Sequence, residues 1–471
     1  MASAAPRGEG FLTLLRKKNF LLLWLAQLIS MTVLNASNYA LISLIQQDTG
    51  STTLIGLAII CFSLPAVIFG APAGVFVDHR NKKRVLFYSN WLRAIASVGF
   101  VLSLLWDHTQ LIPIYLLTFL ISGIGQFFTP AEGATIPMMV SENELMPALS
   151  LFQVTFMLST ALGYILFAPL LLLFLPTVTL LNLRITPVEM LYFLIAILYG
   201  VCAILISAIP TKNFVMPRRR STTTSELTAE SLGVLENVWH EMVQAWTFIR
   251  RRPMLFESVI QLSFAGVLLL VIGQLAAPIV TRLLGLPSTS MAFVFAPAGV
   301  GLVLSSIFMP RLITLLGKSR MVIIGCVALA LMIILLPLLT LLAHALEQRG
   351  LQVSTWLVVV VGLVMFLAGV AINFINIPAN TDMQERTPEW IKGRVLALQL
   401  VIYNTASIPI VLLIGGITDH FTLPTMLYLL AICVVAFGLW GLFYEHKPHR
   451  REHEAEEERV GTREVVDEII S

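Results

Sequence analysis

Long stretches without a charged residue constrain the fold of this chain more than any other feature. Eleven runs of 22 to 39 residues contain no Asp, Glu, Lys or Arg, and a twelfth is interrupted only by Arg93. A helix that crosses a hydrocarbon core of ~30 Å needs about 20 mainly apolar residues, so each run can span a bilayer. We therefore predict an all-α membrane protein with twelve transmembrane helices. In chain order, helices 1 to 12 correspond to residues 19–47, 49–77, 85–106, 108–131, 145–183, 190–211, 258–281, 283–310, 321–346, 350–381, 395–418 and 420–444.

Composition excludes the main alternative classes of protein. The chain has 471 residues, of which 57% are apolar and 12% charged, and its mean hydropathy is +0.86. A soluble domain carries about 25% charged residues. The same values exclude a disordered, collagen-like, coiled-coil or nucleic-acid-binding chain. A β-barrel is also excluded, because its strands alternate apolar and polar residues over about 10 residues. Because the four cysteines lie inside apolar runs, we expect no disulfide framework and no CxxC metal clip. We also expect no metal site and no cofactor.

Lysine and arginine residues are concentrated in alternate loops. With the N terminus inside, all but four of the 30 lie in cytoplasmic segments, and the exceptions are Arg93, Arg184, Arg282 and Arg349. An excess of Lys and Arg is typical of cytoplasmic loops. We therefore expect a multi-pass protein of the plasma or inner membrane with both termini in the cytoplasm. The first apolar run is longer than a signal-peptide core, so we expect helix 1 to remain in the mature protein.

The longest polar stretch divides the chain into two sets of six helices. In it, apolar residues at three- and four-residue spacing, from Leu232 to Ile249, precede Arg250–Arg252 and indicate an amphipathic helix on the inner membrane surface. The predicted organisation is a cytoplasmic N-terminal segment (1–18), an N-terminal bundle (19–210), a cytoplasmic linker (211–253), a C-terminal bundle (254–444) and a charged cytoplasmic tail (445–471).

The two sets of six helices resemble each other. Pro130-Ala131 near the inner end of helix 4 matches Pro378-Ala379 near the inner end of helix 10, and a short polar loop follows each pair. Such internal repeats are typical of secondary transporters, which hold their substrate between the halves. We therefore expect two pseudo-symmetric six-helix bundles.

The loop between helices 2 and 3 carries a recognisable signature. It reads Gly74-Val75-Phe76-Val77-Asp78-His79-Arg80-Asn81-Lys82-Lys83-Arg84 and resembles the helix 2–3 loop of the major facilitator superfamily, with Gly74, Asp78, Lys82 and Lys83 matching. His79 stands where a fixed cation is usual, and Asn81 where glycine is usual; Asn tolerates the positive φ of such a turn. The Pro-Ala segments and QERTPEWIKGRV are similar to the macrolide and siderophore (enterobactin) exporter branch of the drug:proton antiporters.

The resemblance implies a role for this loop in gating. Asp78 would contact the start of helix 11 near Gly393 and Arg394 and latch the inner gate in the outward-open state, because a carboxylate is stabilised at a helix N-terminus. Arg80, Lys82 and Lys83 belong to the same loop signature. An alternative is a solvated turn that only sets the topology. The Gly-Pro pair of the family's antiporter signature is poorly kept, since Tyr164 follows Gly163 and Pro169 comes later.

Ionisable residues inside the membrane are candidates for proton coupling, because burying a charge in a bilayer is costly. Arg93 lies on helix 3, Glu132 near the inner end of helix 4 and Glu257 near the start of helix 7. Arg93 and Glu132 could form a pair, either as a structural salt bridge or as a protonation switch. Asp78 is a further candidate. Related exporters often carry a basic residue at the position of Glu132.

Uncharged polar residues form stripes that are expected to face the cavity or another helix, since lipid does not solvate an amide. Helices 1, 4, 7 and 10 line the cavity in the superfamily that this chain resembles, and interhelical hydrogen bonding is the alternative role. Asn380 lies too near the inner edge to contact substrate. The candidate cavity residues are Gln27, Asn35, Asn38, Gln153, Gln261, Gln274, Asn373, Asn376, Tyr403 and Asn404.

The resemblance implies a monomeric secondary-active exporter, not an enzyme, which acts on a lipophilic or amphipathic small molecule and is driven by proton influx. Its expected partners are the substrate, protons and membrane lipids, with no nucleic acid. A facilitator or importer of a lipid-like or nutrient solute is the first alternative. A receptor or scaffold without transport is the second, and the small polar tail and linker disfavour it.

Overall fold

A computed structural model describes residues 11–78, 80–107, 110–180, 183–211, 241–347 and 354–445. Twelve helices in these ranges are long and apolar enough to cross a membrane, which confirms the predicted number. They are α1 (Lys18–Thr49), α2 (Thr52–Asp78), α3 (Lys82–Trp106), α4 (Leu111–Met139), α5 (Glu142–Ala161, then a π-helical turn Leu162–Phe167 and Ala168–Phe174), α6 (Pro187–Ser207), α7 (Pro253–Pro278, then a π-helical turn Ile279–Leu283), α8 (Met291–Leu316), α9 (Lys318–Glu347), α10 (Ser354–Arg386), α11 (Glu389–His420) and α12 (Leu423–Glu445).

Shorter elements flank these helices. A helical turn, Phe11–Leu15, precedes α1, and a 3₁₀ turn, Ser288–Ser290, precedes α8. Strands β1 (Val178–Leu180) and β2 (Leu183–Ile185) pair antiparallel between α5 and α6. The uncharged run 145–183 therefore does not form one helix throughout, because its last residues turn into this hairpin.

The structure divides into two compact units that do not coincide with the two sets of six helices. Unit 1 combines the described residues up to 211 with Leu269–Ala296 and Asn404–Leu423. Unit 2 consists of Glu241–Leu268, Pro297–Tyr403 and the described residues from Pro424 onwards. Unit 1 thus contains the end of α7, the start of α8 and the end of α11. We call the side of unit 1 where α1 begins the terminal side, and the side where α1 ends the distal side.

The core of unit 1 draws on all of its first six helices. Fully or almost fully buried side chains from α1 to α6 meet in one cluster towards the terminal side. Examples are Phe20, Leu86, Phe128, Phe152 and Ile206. This cluster keeps the helices in fixed register and so positions the polar groups described below.

An ion pair ties the chain before α1 to the start of α5. The Lys17 ammonium donates to both oxygens of Glu144, which also accepts from the Ser141 N–H at 2.9 Å and the Ser141 hydroxyl at 2.6 Å. Ser141 and Glu144 form a capping box, so the first turn of α5 has its free N–H groups satisfied. The Lys17 ammonium, followed by the two Ser141 donors, lowers the pKa of Glu144 from 4.5 to about 2.

We expect Lys17→Met to lower the melting temperature of the purified protein at pH 7. A carboxyl group whose pKa is depressed by folding stabilises the fold above its ordinary pKa and loses this effect as pH falls through its folded pKa. The difference between wild type and Lys17→Met should therefore shrink from pH 4.5 to about 2. Lys18→Met is the control, since the exposed Lys18 forms no ion pair with any described residue. An identical pH dependence for the two variants would contradict this prediction.

The end of the linker packs on unit 2. Residues 241–251 are helical, and the fully buried Ala245 and Ile249 contact Val259 of α7, Met383 of α10 and Val395 of α11. The predicted amphipathic helix therefore places this part of its apolar face against the protein and not against the membrane surface, because these helices offer it an apolar groove. Residues 212–240, with the rest of the pattern from Leu232 onwards, lie outside the described ranges.

Candidate functional site

Unit 1 contains a cavity of about 470 Å³. Its walls come from α1, α2 and α5 and from the parts of α7 and α8 that belong to unit 1. Ligand pockets for small molecules typically measure about 300–1,000 Å³. The cavity can therefore hold a small organic molecule.

Apolar side chains line most of this cavity, and its polar groups lie along one edge. Phe62, Met291 and Phe295 represent the apolar walls of α2 and α8. The polar edge consists of Asn38 and Tyr39 from α1 with Thr160 and Tyr164 from α5. No lysine, arginine, aspartate or glutamate is among the described residues that line it. The cavity thus suits an uncharged amphipathic solute, whose polar groups would face α1 and α5.

Two tyrosines define the polar edge. The rings of Tyr39 and Tyr164 meet edge to face, with centroids 6.5 Å apart. The Tyr39 hydroxyl accepts a hydrogen bond from the N–H of Ala292 at 3.3 Å, which connects α1 to the start of α8. Aromatic rings of this kind offer a large apolar contact area together with a polar group.

A π-helical turn in α5 positions Tyr164. The turn begins at Leu162, and π-turns inside helices occur frequently at functional sites. Gly163 lies directly against α1, since a Cβ there would be 2.5 Å from the Cβ of Asn35 and 2.6 Å from the carbonyl oxygen of Thr32. Only glycine fits this crossing, and the next residue, Tyr164, reaches the cavity. The Gly163-Tyr164 pair was visible in the sequence, but the π-turn was not.

Arg93 is almost completely buried between the first helices of unit 1. Its Nη1 donates to the Ser30 hydroxyl at 3.1 Å, and its Nε donates to the carbonyl oxygen of Ile121 at 3.3 Å. The rings of Phe128 and Tyr199 lie 5.6 and 5.5 Å from its Cζ. Such rings stabilise a cation through their negative faces.

A glycine on α4 makes room for this guanidinium group. A Cβ at Gly125 would lie 2.1 Å from the Nη2 atom of Arg93. Ser30, the hydroxyl partner of Arg93, also donates to the Oδ1 atom of Asn90 at 3.2 Å. The sequence correctly singled out Arg93 as an intramembrane charge, but its partners belong to three other helices and could not be read from spacing.

Glu132 is the second buried charge candidate, and it does not form the predicted salt bridge. In the described part of the chain, Arg93 and Glu132 have no N–O approach within 4.0 Å. Glu132 is 4% exposed, and its Oε1 atom has no hydrogen-bond partner among the described groups. The salt-bridge form of this expectation is therefore wrong in this structure, because the Nη1 and Nε groups of Arg93 donate to Ser30 and to the Ile121 carbonyl, and the protonation switch stays a prediction.

The loop signature between α2 and α3 is partly described. Lys83 donates to the carbonyl oxygens of Ser207 and Ile209 at the end of α6, at 2.9 and 2.6 Å, as expected for a cation at a helix C-terminus. The guanidinium group of Arg80 lies 5.5 Å from the centre of the Phe76 ring, and Lys82 is buried. A Cβ added at Gly74 would have no heavy atom within 4 Å. His79 and the side chain of Asp78 lie outside the described residues, so the predicted latch stays a prediction.

Asn81 has a different role from the expected one. Its φ is −67°, and its side chain accepts from the N–H of Arg84 at 3.3 Å as the N-cap of α3. A positive φ is therefore not required at this position, because the turn is closed by the side-chain cap.

Near the start of α11, the predicted partners of Asp78 contact the linker helix. Arg394 donates to the Oε1 atom of Gln244 at 3.1 Å and lies 3.2 Å from the Oε1 atom of Glu241. Gly393 is exposed.

Several amides predicted to face the cavity instead bind backbone groups. Gln274 is fully buried and donates to the carbonyl oxygens of Thr52 and Val411, both at 3.0 Å. Asn35 donates to Met31 of its own helix at 2.9 Å, and Gln27 is buried with its Oε1 atom unpartnered among the described groups. Of these α1 and α7 residues, only Asn38 lines the 470 Å³ cavity. The interhelical alternative therefore describes Gln274 better than cavity lining does.

Two of the polar residues predicted to line the cavity from α10 and α11 pack against neighbouring helices of unit 2. Asn373 donates to Ser305 and Ser306 of α8 at 2.9 and 2.8 Å, an interhelical role. The ring of Tyr403 packs on α7, where a Cβ at Gly266 would lie 2.8 Å from its Cδ2 atom. Asn376 and Asn404 are half-buried, and the side chain of Gln153 lies outside the described residues.

A smaller, charged cavity of about 280 Å³ lies in unit 2 near the starts of α7 and α9. Glu257 is buried there and accepts from Gln261 at 3.0 Å. Asp382 accepts from Ser258 at 2.5 Å and pairs with Lys318 at 3.3 Å and Arg386 at 2.7 Å. These charges neutralise one another, so the cluster fits a structural contact between helix ends. Among the described residues, no group of three or more His, Cys, Asp or Glu side chains could hold a metal ion.

Comparison with known proteins gives one family match and several partial relatives. The family model for the Major Facilitator Superfamily matches residues 23–409. Macrolide efflux protein A of Streptococcus pyogenes is 28% identical over 159 residues, which cover 32% of this chain and 38% of that protein. An uncharacterised MFS-type transporter of Bacillus subtilis, YkuC, is 25% identical over 149 residues, 31% of this chain and 34% of that protein. The matches thus span little more than a third of these curated relatives.

Solved structures match over nearly the whole chain. The nucleoside transporter NupG has a TM-score of 0.65 at 13% identity, with 91% of this chain and 99% of that chain covered. A bacterial homologue of the iron transporter ferroportin in its inward-facing state has a TM-score of 0.65 at 14% identity, with 92% and 100% covered. At these identities the likeness concerns the fold alone.

Proposed function

Because the chain belongs to the Major Facilitator Superfamily and is thus a secondary transporter, we propose that it exports an uncharged lipophilic or amphipathic small molecule in exchange for protons. The observation that carries this proposal is the cavity of about 470 Å³ with apolar walls and one polar edge. A charged sugar phosphate or dicarboxylate would lose its hydration there without gaining a charged partner, which is costly. A solute with apolar faces would gain about 25 cal/mol for each Å² that it buries.

The proposed direction is from the terminal side to the distal side. The terminal side corresponds to the cytoplasm in this proposal, because the described residues of unit 1 on that side include Arg16, Lys17, Lys18, Arg80 and Lys82–Arg84, whereas the distal side has Arg184 and Arg282. The sequence similarity to macrolide efflux protein A supports export of an amphipathic solute.

We assign proton exchange to Glu132. Burying an ionised carboxylate without a compensating partner costs several kcal/mol, and this carboxyl group has an unpartnered oxygen and no ion pair among the described residues. Arg93, which donates to Ser30 and to the Ile121 carbonyl, provides a fixed positive charge in the same helical bundle. Binding and release of a proton at Glu132 would then change the charge of this bundle during the transport cycle.

We expect Tyr164→Ala to raise the apparent KM for lipophilic solutes about tenfold, since an aromatic contact contributes about 0.5–1.5 kcal/mol beyond its buried area. The measurement is efflux of a panel of neutral and permanently charged amphiphiles from energised cells, with and without a protonophore. Tyr88→Ala is the matched control, because Tyr88 is 56% exposed on α3 and is not among the cavity-lining residues.

The same assay separates the candidate functions. Efflux that stops with the protonophore and excludes permanently charged compounds supports the proposal. Accumulation instead of efflux would indicate an importer or facilitator, and no flux of any compound would indicate a receptor or scaffold. An unchanged KM in Tyr164→Ala would remove the cavity from the transport path.

A further inference from the structure

Asp419, near the end of α11, caps the start of α2 at the distal side of unit 1. Its Oδ1 atom accepts from the N–H of Thr52 at 2.8 Å, and its Oδ2 atom accepts from the N–H of Thr53 at 2.9 Å and from the Ser51 hydroxyl at 2.6 Å. The first N–H groups of a helix have no partner within the helix and favour a negative charge. This single carboxylate therefore satisfies the first turn of α2 from a helix more than 360 residues away in the chain.

The end of α7 reinforces the same junction. Arg282 donates to the carbonyl oxygens of Thr418, at 3.4 Å, and of Gly50, and its Nη2 atom lies 3.3 Å from the Oδ1 atom of Asp419. Eight residues earlier on α7, Gln274 bridges the carbonyl oxygens of Thr52 and Val411. The corner between α1 and α2 is thus bound by both α7 and α11.

Two glycines let the helices approach closely at this junction. A Cβ at Gly415 of α11 would lie 2.7 Å from the Cα of Thr53, and a Cβ at Gly56 of α2 would lie 2.5 Å from the Nε2 atom of Gln274. The 470 Å³ cavity lies next to this junction. Ala58, which lines the cavity, follows Thr52 by six residues along α2, a rise of about 9 Å. Gly273 and Ala276, on either side of Gln274 in α7, also line the cavity.

We propose that Asp419, with Arg282, is the distal latch of the transport cycle: a positioning residue whose bonds to the start of α2 hold the distal exit closed and must break before the cavity opens on that side. The helix pair carries a carboxylate at each end, because Asp78 ends α2 and Asp419 lies next to the end of α11. The latch expected from the loop signature would close the terminal side, and Asp419 closes the opposite side. This inference rests on the alternating access of the family and not on the proposed solute or direction.

The test measures access to the cavity from the distal side. In a chain whose four native cysteines are replaced, Ala276→Cys places one thiol in the cavity lining. A membrane-impermeant maleimide is applied to intact cells. We expect Asp419→Ala to raise the labelling rate about fivefold, as the loss of a helix cap would. Asp419→Asn should give a smaller increase, because the amide oxygen still accepts hydrogen bonds but carries no charge.

Further measurements separate a shifted equilibrium from a loosened fold. A shift raises labelling from the distal side and lowers it in inside-out vesicles, whereas a loosened fold raises both. Ser51→Ala, which removes one of the three hydrogen bonds that Ser51, Thr52 and Thr53 donate to Asp419, keeps the test decisive if Asp419→Ala fails to reach the membrane. His420→Ala, which removes an exposed side chain next to Asp419 on α11, is the control and should label like the parent. Parental rates in Ser51→Ala and both Asp419 variants, or a rise from both sides, would overturn the proposal.

Discussion

Replacing Glu132 with glutamine is expected to reduce proton-driven efflux to the level of cells that lack the protein. Glutamine keeps the size of the side chain but cannot bind and release a proton, and its amide can donate a hydrogen bond in a buried position where one carboxyl oxygen is unpartnered among the described groups. The fold should therefore survive while coupling is lost. Efflux down a solute gradient and proton uptake into proteoliposomes measure the two functions separately.

Glu257→Gln is the comparison for this variant. Glu257 is also buried, but it accepts a hydrogen bond from Gln261 within the charged cluster of unit 2. We expect this variant to retain proton-dependent efflux. If Glu257→Gln loses proton uptake and Glu132→Gln keeps it, the coupling assignment moves from α4 to α7.

Substituting Gly369 with alanine is expected to destabilise unit 2 severely. A Cβ at this position of α10 would lie 2.0 Å from the carbonyl oxygen of Ala298 on α8, and at Gly301 of α8 it would lie 2.2 Å from the carbonyl oxygen of Phe366. Both obstructing atoms belong to the backbone, so the helices must move apart. Overpacking costs about 1–3 kcal/mol where side chains can adjust, and more is expected here. Separation would also stretch the hydrogen bonds of Asn373 to Ser305 and Ser306.

The matched control lies on the same helix. A Cβ at Gly362 would meet only the Cγ of Pro297 at 3.7 Å, an ordinary contact. Gly362→Ala should therefore keep or slightly raise the melting temperature, because alanine favours a helix over glycine. The melting temperature in detergent and the amount of protein in the membrane are the measurements. Equal values for Gly369→Ala and Gly362→Ala would show that α8 and α10 do not cross as closely as described.

The twelve membrane helices could be predicted from the sequence, because local composition determines which segments span a membrane. A bilayer requires a long apolar segment that satisfies its own backbone, so each run from 19–47 onwards could be interpreted by itself. Arg93 stood out for the same reason, as a charge within such a run. The prediction of one helix over the run 145–183 was wrong for its last residues, which belong to the β1–β2 hairpin. Apolar composition does not distinguish a helix from such a hairpin.

Partners of buried groups could not be predicted in this way. Spacing suggested that Arg93 faces Glu132 across neighbouring helices, yet the guanidinium donors reach Ser30 and Ile121. The stripe that contains Gln27, Asn35 and Asn38 was recognised as polar, but only Asn38 lines the cavity. Which side of a helix faces a cavity depends on the neighbours that pack around it, and those neighbours come from distant parts of the chain.

By itself, the sequence determined the number of membrane helices, the family signature in the loop from Gly74 to Arg84 and the presence of buried charges, because each depends on residues that are close together in the chain. Only the tertiary structure brought Tyr164 to the cavity edge through a π-turn and placed the carboxylate of Asp419 on the first turn of α2. Both depend on helix crossings at glycines, where two backbones approach until no side chain fits between them. Such an approach is a property of two surfaces together and leaves no pattern in either segment alone.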